Sequence, residues 1–181
     1  RVYGTHTPDS DYDYIVVHKA ALLNGGVAMR ENAKTSADGT IQIINYSRTG
    51  FKAAIEQFEI SALECLFLPK EFVLQAKWPY KIDRFDNKEF ASKIISKASN
   101  SWHIALLCLS DDDENMAYKG IYHALRILTF ANQIKKGNSI DFSSAQDIVA
   151  DINQFEISKE VIKKEWEPKR NELMEKLRVW L

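Results

Sequence analysis

The spacing of apolar and polar residues divides the chain into a first half that contains strands and a second half that is helical. Two runs rich in Ile and Val, Asp11–Val17 and Thr40–Tyr46, have the composition and length of β-strands. Between them, Asn24-Gly25-Gly26 is typical of a turn, and the polar segment Glu31–Gly39 is predicted to be a loop. The first half therefore predicts a small sheet.

Helical periodicity begins at Thr49 and dominates the chain after residue 86. Ser61 and Glu64 have the spacing of a capping box, which predicts the start of a short helix that ends before Pro69. A kink is predicted near Pro168, because proline cannot donate the helical hydrogen bond. The longer predicted helices are Thr49–Phe58, Asn87–Leu109, Asn115–Lys136, Asp141–Ile152 and Ser158–Leu181.

This order of elements predicts an α+β fold, with a small α/β domain over residues 1–85 and a helical bundle domain over residues 86–181. A net charge of −1 gives no overall electrostatic attraction to nucleic acid. The sequence contains no apolar run of membrane-spanning length and no signal peptide. Cys65 and Cys108 lack metal-ligand spacing and are predicted to be buried free thiols. Together these features favour a cytoplasmic protein with no membrane partner.

Asp11 and Asp13 are the residues with the clearest potential for chemistry. Side chains two apart in a strand share a face, with their Cα atoms roughly 7 Å apart. Two neighbouring carboxylates need a cation or a shared proton, and oxygen donors favour Mg²⁺ or Mn²⁺. Gly4 would let the backbone approach a phosphate. The alternative is a solvated strand entry after the Thr7–Ser10 turn, with no ligand.

The predicted helix Asn115–Lys136 carries a second candidate group. An apolar stripe from Ala117 to Ala131 should face the core, and Lys119, His123 and Arg126 follow at i, i+4 and i+7 on the opposite face. One interpretation is an ordinary solvated face. The other is a nucleotide-binding wall, in which Lys119 and Arg126 contact phosphate, His123 bonds phosphate or base, and Tyr122 stacks on a base.

Three blocks of the chain follow one another in a recognisable order. They are Arg1-Val2-Tyr3-Gly4 with Pro8 and Ser10-Asp11-Tyr12-Asp13, then Ser61–Pro69, then Lys119–Arg126. In this order they resemble the nucleotidyltransferases of the DNA polymerase β superfamily, and most closely a bacterial and phage branch sometimes found beside RNA ligases. In that branch a Gly-Ser pair precedes the arginine, so an N-terminal segment is expected upstream of Arg1.

The resemblance implies a small, mixed-sheet, polymerase β palm-like domain in a bacterial or phage-infected cell. Asp11 and Asp13 would bind Mg²⁺ or Mn²⁺, and the substrate would be a nucleoside triphosphate. A nucleoside monophosphate would pass to a hydroxyl acceptor, with RNA as the suggested acceptor, and pyrophosphate would leave. The position of the family's third carboxylate falls at Gln42. The nucleotide-binding residues implied are Arg1, Gly4, Lys119, Tyr122, His123 and Arg126.

Gln42 leaves an alternative function open. An amide cannot take a proton from an attacking hydroxyl, and it is a weaker metal ligand than a carboxylate. The chain could therefore be a catalytically silent relative that binds nucleotide or RNA, or an interaction module. A further alternative is that the helical domain contacts a protein partner through the amphipathic segment Ser158–Leu181.

Overall fold

A computed structural model describes residues 2–6, 10–18, 33–75, 80 and 86–181. The chain forms two compact units that divide between residues 85 and 86, except that Tyr3–Thr5 pack with the second unit. The class is mixed α+β and mostly helical, with a small sheet and a helical bundle. Arg1, Pro8, the turn predicted at Asn24-Gly25-Gly26 and residues 19–32 as a whole lie outside the described residues.

Within the described residues, the sheet of the first unit has three strands in the order β1-β3-β2. Its strands are β1 (Tyr12–His18), β2 (Ala33–Thr35) and β3 (Ile41–Ser47). β1 and β3 confirm the two predicted strands, and they run parallel. The loop predicted over Glu31–Gly39 is wrong at residues 33–35, because their backbone pairs antiparallel with β3. Residues 36–39 then form the turn, in which the Gly39 N–H donates to the Ser36 carbonyl at 3.0 Å.

Helices α1 (Arg48–Glu56) and α2 (Ile60–Leu66) and a 3₁₀ turn at Lys70–Phe72 follow the sheet. Ser47 ends β3 and caps α1, since its Oγ accepts a hydrogen bond from the Gly50 N–H at 3.0 Å. The core of this unit lies between α1, α2 and one face of the sheet. It comprises Tyr46, Phe51, Ala54, Ile55 and Ala62, against which Ile15, Val17 and Ile44 pack.

The capping box predicted at Ser61 and Glu64 is wrong. α2 begins at Ile60, so Ser61 lies inside the helix and its Oγ lies 3.5 Å from Tyr46 Oη. The turn before α2 is set by Phe58, which has a left-handed φ of 55° and is buried. The helix begins earlier than the polar spacing indicated, with Glu59 at its N-cap. Glu64 is buried, with 7% of its surface exposed.

The second unit is a helical bundle, as the sequence predicted. Its helices are α3 (Asn87–Ser110), α4 (Glu114–Gly137), α5 (Ser144–Ile152), α6 (Lys159–Val161) and α7 (Glu167–Arg178). Asp86 caps α3 and Asp113 caps α4, each accepting from a backbone N–H three residues later. Asn138 ends α4 in the left-handed conformation. Among the helices of the described ranges, none is both long and apolar enough to cross a membrane.

The segment Ser158–Leu181 contains a π-helical stretch at Ile162–Trp166, directly before Pro168. Pro168 lacks an N–H, and its ring conflicts with the carbonyl of the residue four positions earlier. These two effects account for the π-helical stretch, which lies where the kink was predicted. Trp166, Met174 and Leu177 of this segment are buried within the unit. Part of the apolar face that suggested a partner surface is therefore packed within the unit, whereas Val179 and Leu181 at the end of the segment are exposed. A protein partner for this segment stays a prediction.

Gly120 lies where α4 packs tightly against α3, and we expect Gly120→Ala to destabilise the helical unit. An added Cβ would lie 2.7 Å from Ala105 Cβ and 2.9 Å from the Ser101 carbonyl oxygen. Overpacking of this kind lowers the free energy of unfolding by about 1–3 kcal/mol. The measurement is the urea unfolding midpoint. Gly137→Ala is the matched control, since its Cβ would meet only Ser139 Oγ at 3.5 Å. Equal midpoints for the two variants would contradict this packing.

Candidate functional site

The two aspartates lie at the start of β1. Tyr12 N–H donates to the Thr40 carbonyl at 2.8 Å, so pairing toward β3 begins at the residue between them. Alternation along the strand puts Asp11 and Asp13 on the face that also carries Ile15 and Val17. Both aspartates are exposed. The carboxylates therefore occupy the open end of a face that is otherwise packed against the core.

Gln42 lies directly opposite Asp13 on the neighbouring parallel strand. Thr35 lies opposite Gln42 on the other side, in the antiparallel pairing of β2 with β3. Cross-strand partners share a face, with their Cβ atoms about 5 Å apart. Asp13, Gln42 and Thr35 therefore form a row of oxygen-bearing side chains across the sheet. Thr35 was missed by the sequence, because its strand was interpreted as loop.

The two carboxylates influence each other electrostatically. The pKa of Asp13 is raised above its ordinary value of 3.8, first by partial burial and second by the negative charge of Asp11. Both effects disfavour the ionised form of Asp13. A bound divalent cation would act in the opposite direction and favour ionisation. The electrostatics of the two carboxylates therefore favour binding of a cation.

Asp38 is held in the turn between β2 and β3. Its Oδ1 accepts hydrogen bonds from Ser36 Oγ at 2.6 Å, Thr40 N at 3.0 Å and Thr40 Oγ1 at 2.8 Å. These bonds stabilise the carboxylate and lower the pKa of Asp38 to about 2. Asp38 Oδ1 is engaged by the turn, and Asp38 lies before β3 and not opposite Asp13, so it does not occupy the position of the carboxylate missing at position 42.

The chemistry of the donors fits Mg²⁺ or Mn²⁺ bound together with a phosphorylated ligand. No group of three His, Cys, Asp or Glu side chains that could hold a metal ion occurs in the described part of the chain. Mg²⁺ in nucleotide sites commonly uses one or two carboxylates and completes its shell with water and substrate phosphate oxygens. Asp11 and Asp13 supply that number of carboxylates, and the Gln42 amide oxygen is a further hard donor nearby.

The second predicted group lies on α4 in the helical unit. The apolar stripe is confirmed, since Ala117, Ile121, Ala124, Leu125, Leu128 and Ala131 are all buried. Lys119 and His123 are exposed, and Tyr122 is half-buried. Arg126 has only 4% of its surface exposed, so its interpretation as part of an ordinary solvated face is wrong. The ring of Tyr3 covers the guanidinium of Arg126 and contributes to this burial.

Tyr3 covers the guanidinium of Arg126. The Arg126 Cζ lies 4.2 Å from the centre of the Tyr3 ring, and the same ring packs against Phe130 and Phe142 at centroid distances of 6.1 and 6.0 Å. Arg126 Nη2 also lies 3.0 Å from His123 Nδ1. Desolvation of the imidazole by neighbouring side chains and the Arg126 charge, in that order, lower the pKa of His123 to about 4. Tyr3, in the N-terminal segment, therefore contributes to the surroundings of Arg126 and, through Arg126, of His123.

Gly4 has a packing role beside this cluster. It has a left-handed φ of 67°, and a Cβ at this position would lie 2.0 Å from Gln146 Nε2. Glycine is therefore favoured here by the backbone conformation and by the close approach of α5. Its predicted contact with phosphate stays a prediction, and Arg1 lies outside the described residues.

The structure thus collects the predicted residues into two groups, each within its own unit. Asp11, Asp13 and Gln42 belong to the α/β unit. The helical unit holds the other described candidates, which are Gly4, Lys119, Tyr122, His123 and Arg126.

We expect Asp11→Asn to lower the pKa of Asp13 toward 3.8, because one of the two causes that raise it is removed. The measurement is a pH titration of the Asp13 carboxyl carbon by NMR. Glu71→Gln, which removes an exposed carboxylate from the same unit, serves as the control and should leave the titration unchanged. An unchanged Asp13 titration in Asp11→Asn would show that the two carboxylates do not share a face.

Comparison of this chain with protein-family models, with curated proteins and with solved structures finds no match. The function is therefore inferred from the chemistry of the two residue groups and from the motifs of the sequence.

Proposed function

We propose that this chain is a metal-dependent nucleotidyltransferase of the DNA polymerase β type, with a palm-like α/β unit. It would transfer a nucleoside monophosphate from a nucleoside triphosphate to a hydroxyl acceptor and release pyrophosphate. The observation that carries the proposal is the polar row at the start of the sheet. Asp11 and Asp13 lie on one face of β1, and Gln42 lies directly opposite Asp13 on a parallel strand.

In this mechanism Asp11 and Asp13 would hold the metal ion and thereby orient the triphosphate. Mg²⁺ or Mn²⁺, when bound, neutralises charge on the phosphates and makes the α-phosphate a better electrophile. Gln42 can hydrogen-bond to the acceptor hydroxyl or a phosphate oxygen, but its amide cannot take up a proton. The proton of the acceptor hydroxyl therefore has to pass to Asp13 or to water. Rate enhancement would rest mainly on positioning and on electrostatic stabilisation.

Within the helical unit, the α4 residues are the proposed nucleotide-binding group. Lys119 is exposed and can act as a point charge for a phosphate. Tyr122 and His123 are the candidates for the base and for a phosphate oxygen. The guanidinium of Arg126 is buried beneath Tyr3. Its role in nucleotide binding is therefore chiefly to position the side chains that it contacts. RNA as the acceptor is supported only by the resemblance to the branch found beside RNA ligases.

A second candidate function is a catalytically silent, nucleotide-binding protein. One observation favours it, namely that an amide occupies the position directly opposite Asp13. The two functions are separated by incubating the chain with α-labelled nucleoside triphosphates, Mg²⁺ or Mn²⁺, and RNA with a free 3′ hydroxyl. Release of pyrophosphate together with a labelled product supports the transferase. Metal-dependent nucleotide binding without pyrophosphate supports the silent protein.

We expect the double substitution Asp11→Asn, Asp13→Asn to abolish metal-dependent nucleotide binding while the fold is retained. Both carboxylates are exposed, so their removal leaves the core unchanged. The measurement is calorimetric titration with ATP in the presence and absence of Mg²⁺. The control is Glu56→Gln, Glu71→Gln, which removes the same charge from exposed sites of the same unit. Nucleotide binding with an unchanged Mg²⁺ dependence in the aspartate variant would show that the site is elsewhere.

For Gln42→Glu we expect turnover equal to or greater than that of the wild type. A carboxylate opposite Asp13 could accept the proton and bind a second metal ion. The added negative charge should also raise the pKa of Asp13 further. The measurements are the rate of pyrophosphate release and its dependence on Mn²⁺ concentration. A lower rate in a folded variant would mean that position 42 does not face the reacting groups.

A further inference from the structure

His123 and Arg126 are neighbours on one face of α4, three residues apart. Arg126 Nη2 lies 3.0 Å from His123 Nδ1. A guanidinium keeps its protons throughout the physiological range and can only donate hydrogen bonds. His123 Nδ1 must therefore accept, and it carries no proton in this arrangement. The proton of the neutral ring is then on Nε2.

The guanidinium that sets this tautomer is itself held in place. The Tyr3 ring covers it at 4.2 Å, and the Phe130 ring lies 5.8 Å away on the same helix. Only 4% of the Arg126 surface is exposed. A buried arginine stacked on aromatic rings has little freedom to rotate away from its hydrogen-bond acceptor. Tyr3 therefore acts on His123 through Arg126.

Nε2 is the ring nitrogen of His123 that this contact with Arg126 does not use. His123 is exposed as a residue, and among the described residues no hydrogen bond to its Nε2 is found. Lys119 lies one helical turn earlier and is exposed, with no ion pair in the described part of the chain. The low pKa of His123, about 4, keeps its ring neutral at physiological pH. Together the two side chains present one directional donor and one positive charge.

We propose that Tyr3 and Arg126 are positioning residues, which fix His123 as the neutral Nε2–H tautomer so that it donates a hydrogen bond to a phosphate oxygen bound beside Lys119. The identity of the ligand as a phosphate chain rests on the proposed function. The tautomer rests on geometry within the helical unit. Lys119 supplies a positive charge, and the Nε2–H of His123 supplies a hydrogen bond of fixed direction. The pair therefore favours a phosphate oxygen at one defined position over an anion held by charge alone.

The tautomer is tested by long-range ¹H–¹⁵N NMR of the chain labelled at histidine. In the wild type at neutral pH we expect an unprotonated Nδ1 and a protonated Nε2 for His123. In Arg126→Met the two tautomers should mix, and the pKa of His123 should rise from about 4 toward its ordinary value of 6.5. His103, on α3, is the internal control. A proton on Nδ1 in the wild type overturns the proposal, as does an unchanged His123 spectrum in folded Arg126→Met.

Tyr3 is tested by the pair Tyr3→Phe and Tyr3→Leu. Phenylalanine keeps a ring face over the guanidinium, so the His123 spectrum should stay like that of the wild type. Leucine removes the ring face, so the spectrum should move toward that of Arg126→Met. The wild-type tautomer can be read without any variant, and the test therefore holds even if one substitution prevents folding. Identical spectra for the phenylalanine and leucine variants would remove Tyr3 from the mechanism.

The ligand is tested with inorganic triphosphate in the presence of a chelator, which takes the metal-binding aspartates out of the measurement. We expect the His123 Nε2 signal to shift on titration, with an affinity at least tenfold lower in Lys119→Gln and unchanged in Lys136→Gln, a substitution of another exposed lysine of α4. No shift at the highest soluble concentration overturns the phosphate donor. A His123 response combined with no metal-dependent binding of ATP would instead overturn only the proposed function.

Discussion

The parallel pairing of β1 with β3 is the constraint on which both the core and the aspartate site of the α/β unit depend. The register aligns Ile15 with Ile44 and Asp13 with Gln42 on one face of the sheet. A shift of β1 by one residue would turn Ile15 away from the core and carry both aspartates to the opposite face of the sheet. Burial of the apolar pairs therefore fixes the position of the polar row. The backbone hydrogen bonds that hold these core strands together therefore also set the positions of Asp13 and Gln42.

The composition of the row limits what it can do. Two carboxylates balance the charge of one divalent ion, whereas a third would raise the repulsion within the ligand-free protein and demand a second ion. Gln42 keeps an oxygen donor at that position without adding charge. Burial and the Asp11 charge already raise the pKa of Asp13, so a further carboxylate would carry a larger electrostatic cost. The amide thus favours the stability of the unliganded site at the expense of a strong base.

The sequence predicted the features that depend on local periodicity, and it missed those that depend on distant partners. Both long strands and the apolar stripe of α4 followed from spacing alone. Gln42 was singled out only by the family resemblance, and it lies directly opposite Asp13 on β3. Strand β2 was missed, because a three-residue edge strand is stabilised by the backbone of β3 and by the turn at Asp38, and its own residues show no strand pattern. Tyr3 was assigned to a motif, while its packing partners Phe130 and Phe142 are more than 120 residues away.

Arg126 shows why spacing alone cannot assign a charged residue to a surface. Its position on α4 is opposite the apolar stripe, which on a lone helix would leave the guanidinium in water. Here an aromatic ring from the start of the chain covers it, and a histidine one turn earlier accepts one of its hydrogen bonds. Burying a cation costs free energy that an aliphatic residue would not. The proposed control of the proton on His123 would give this buried charge a chemical role in addition to its packing against Tyr3.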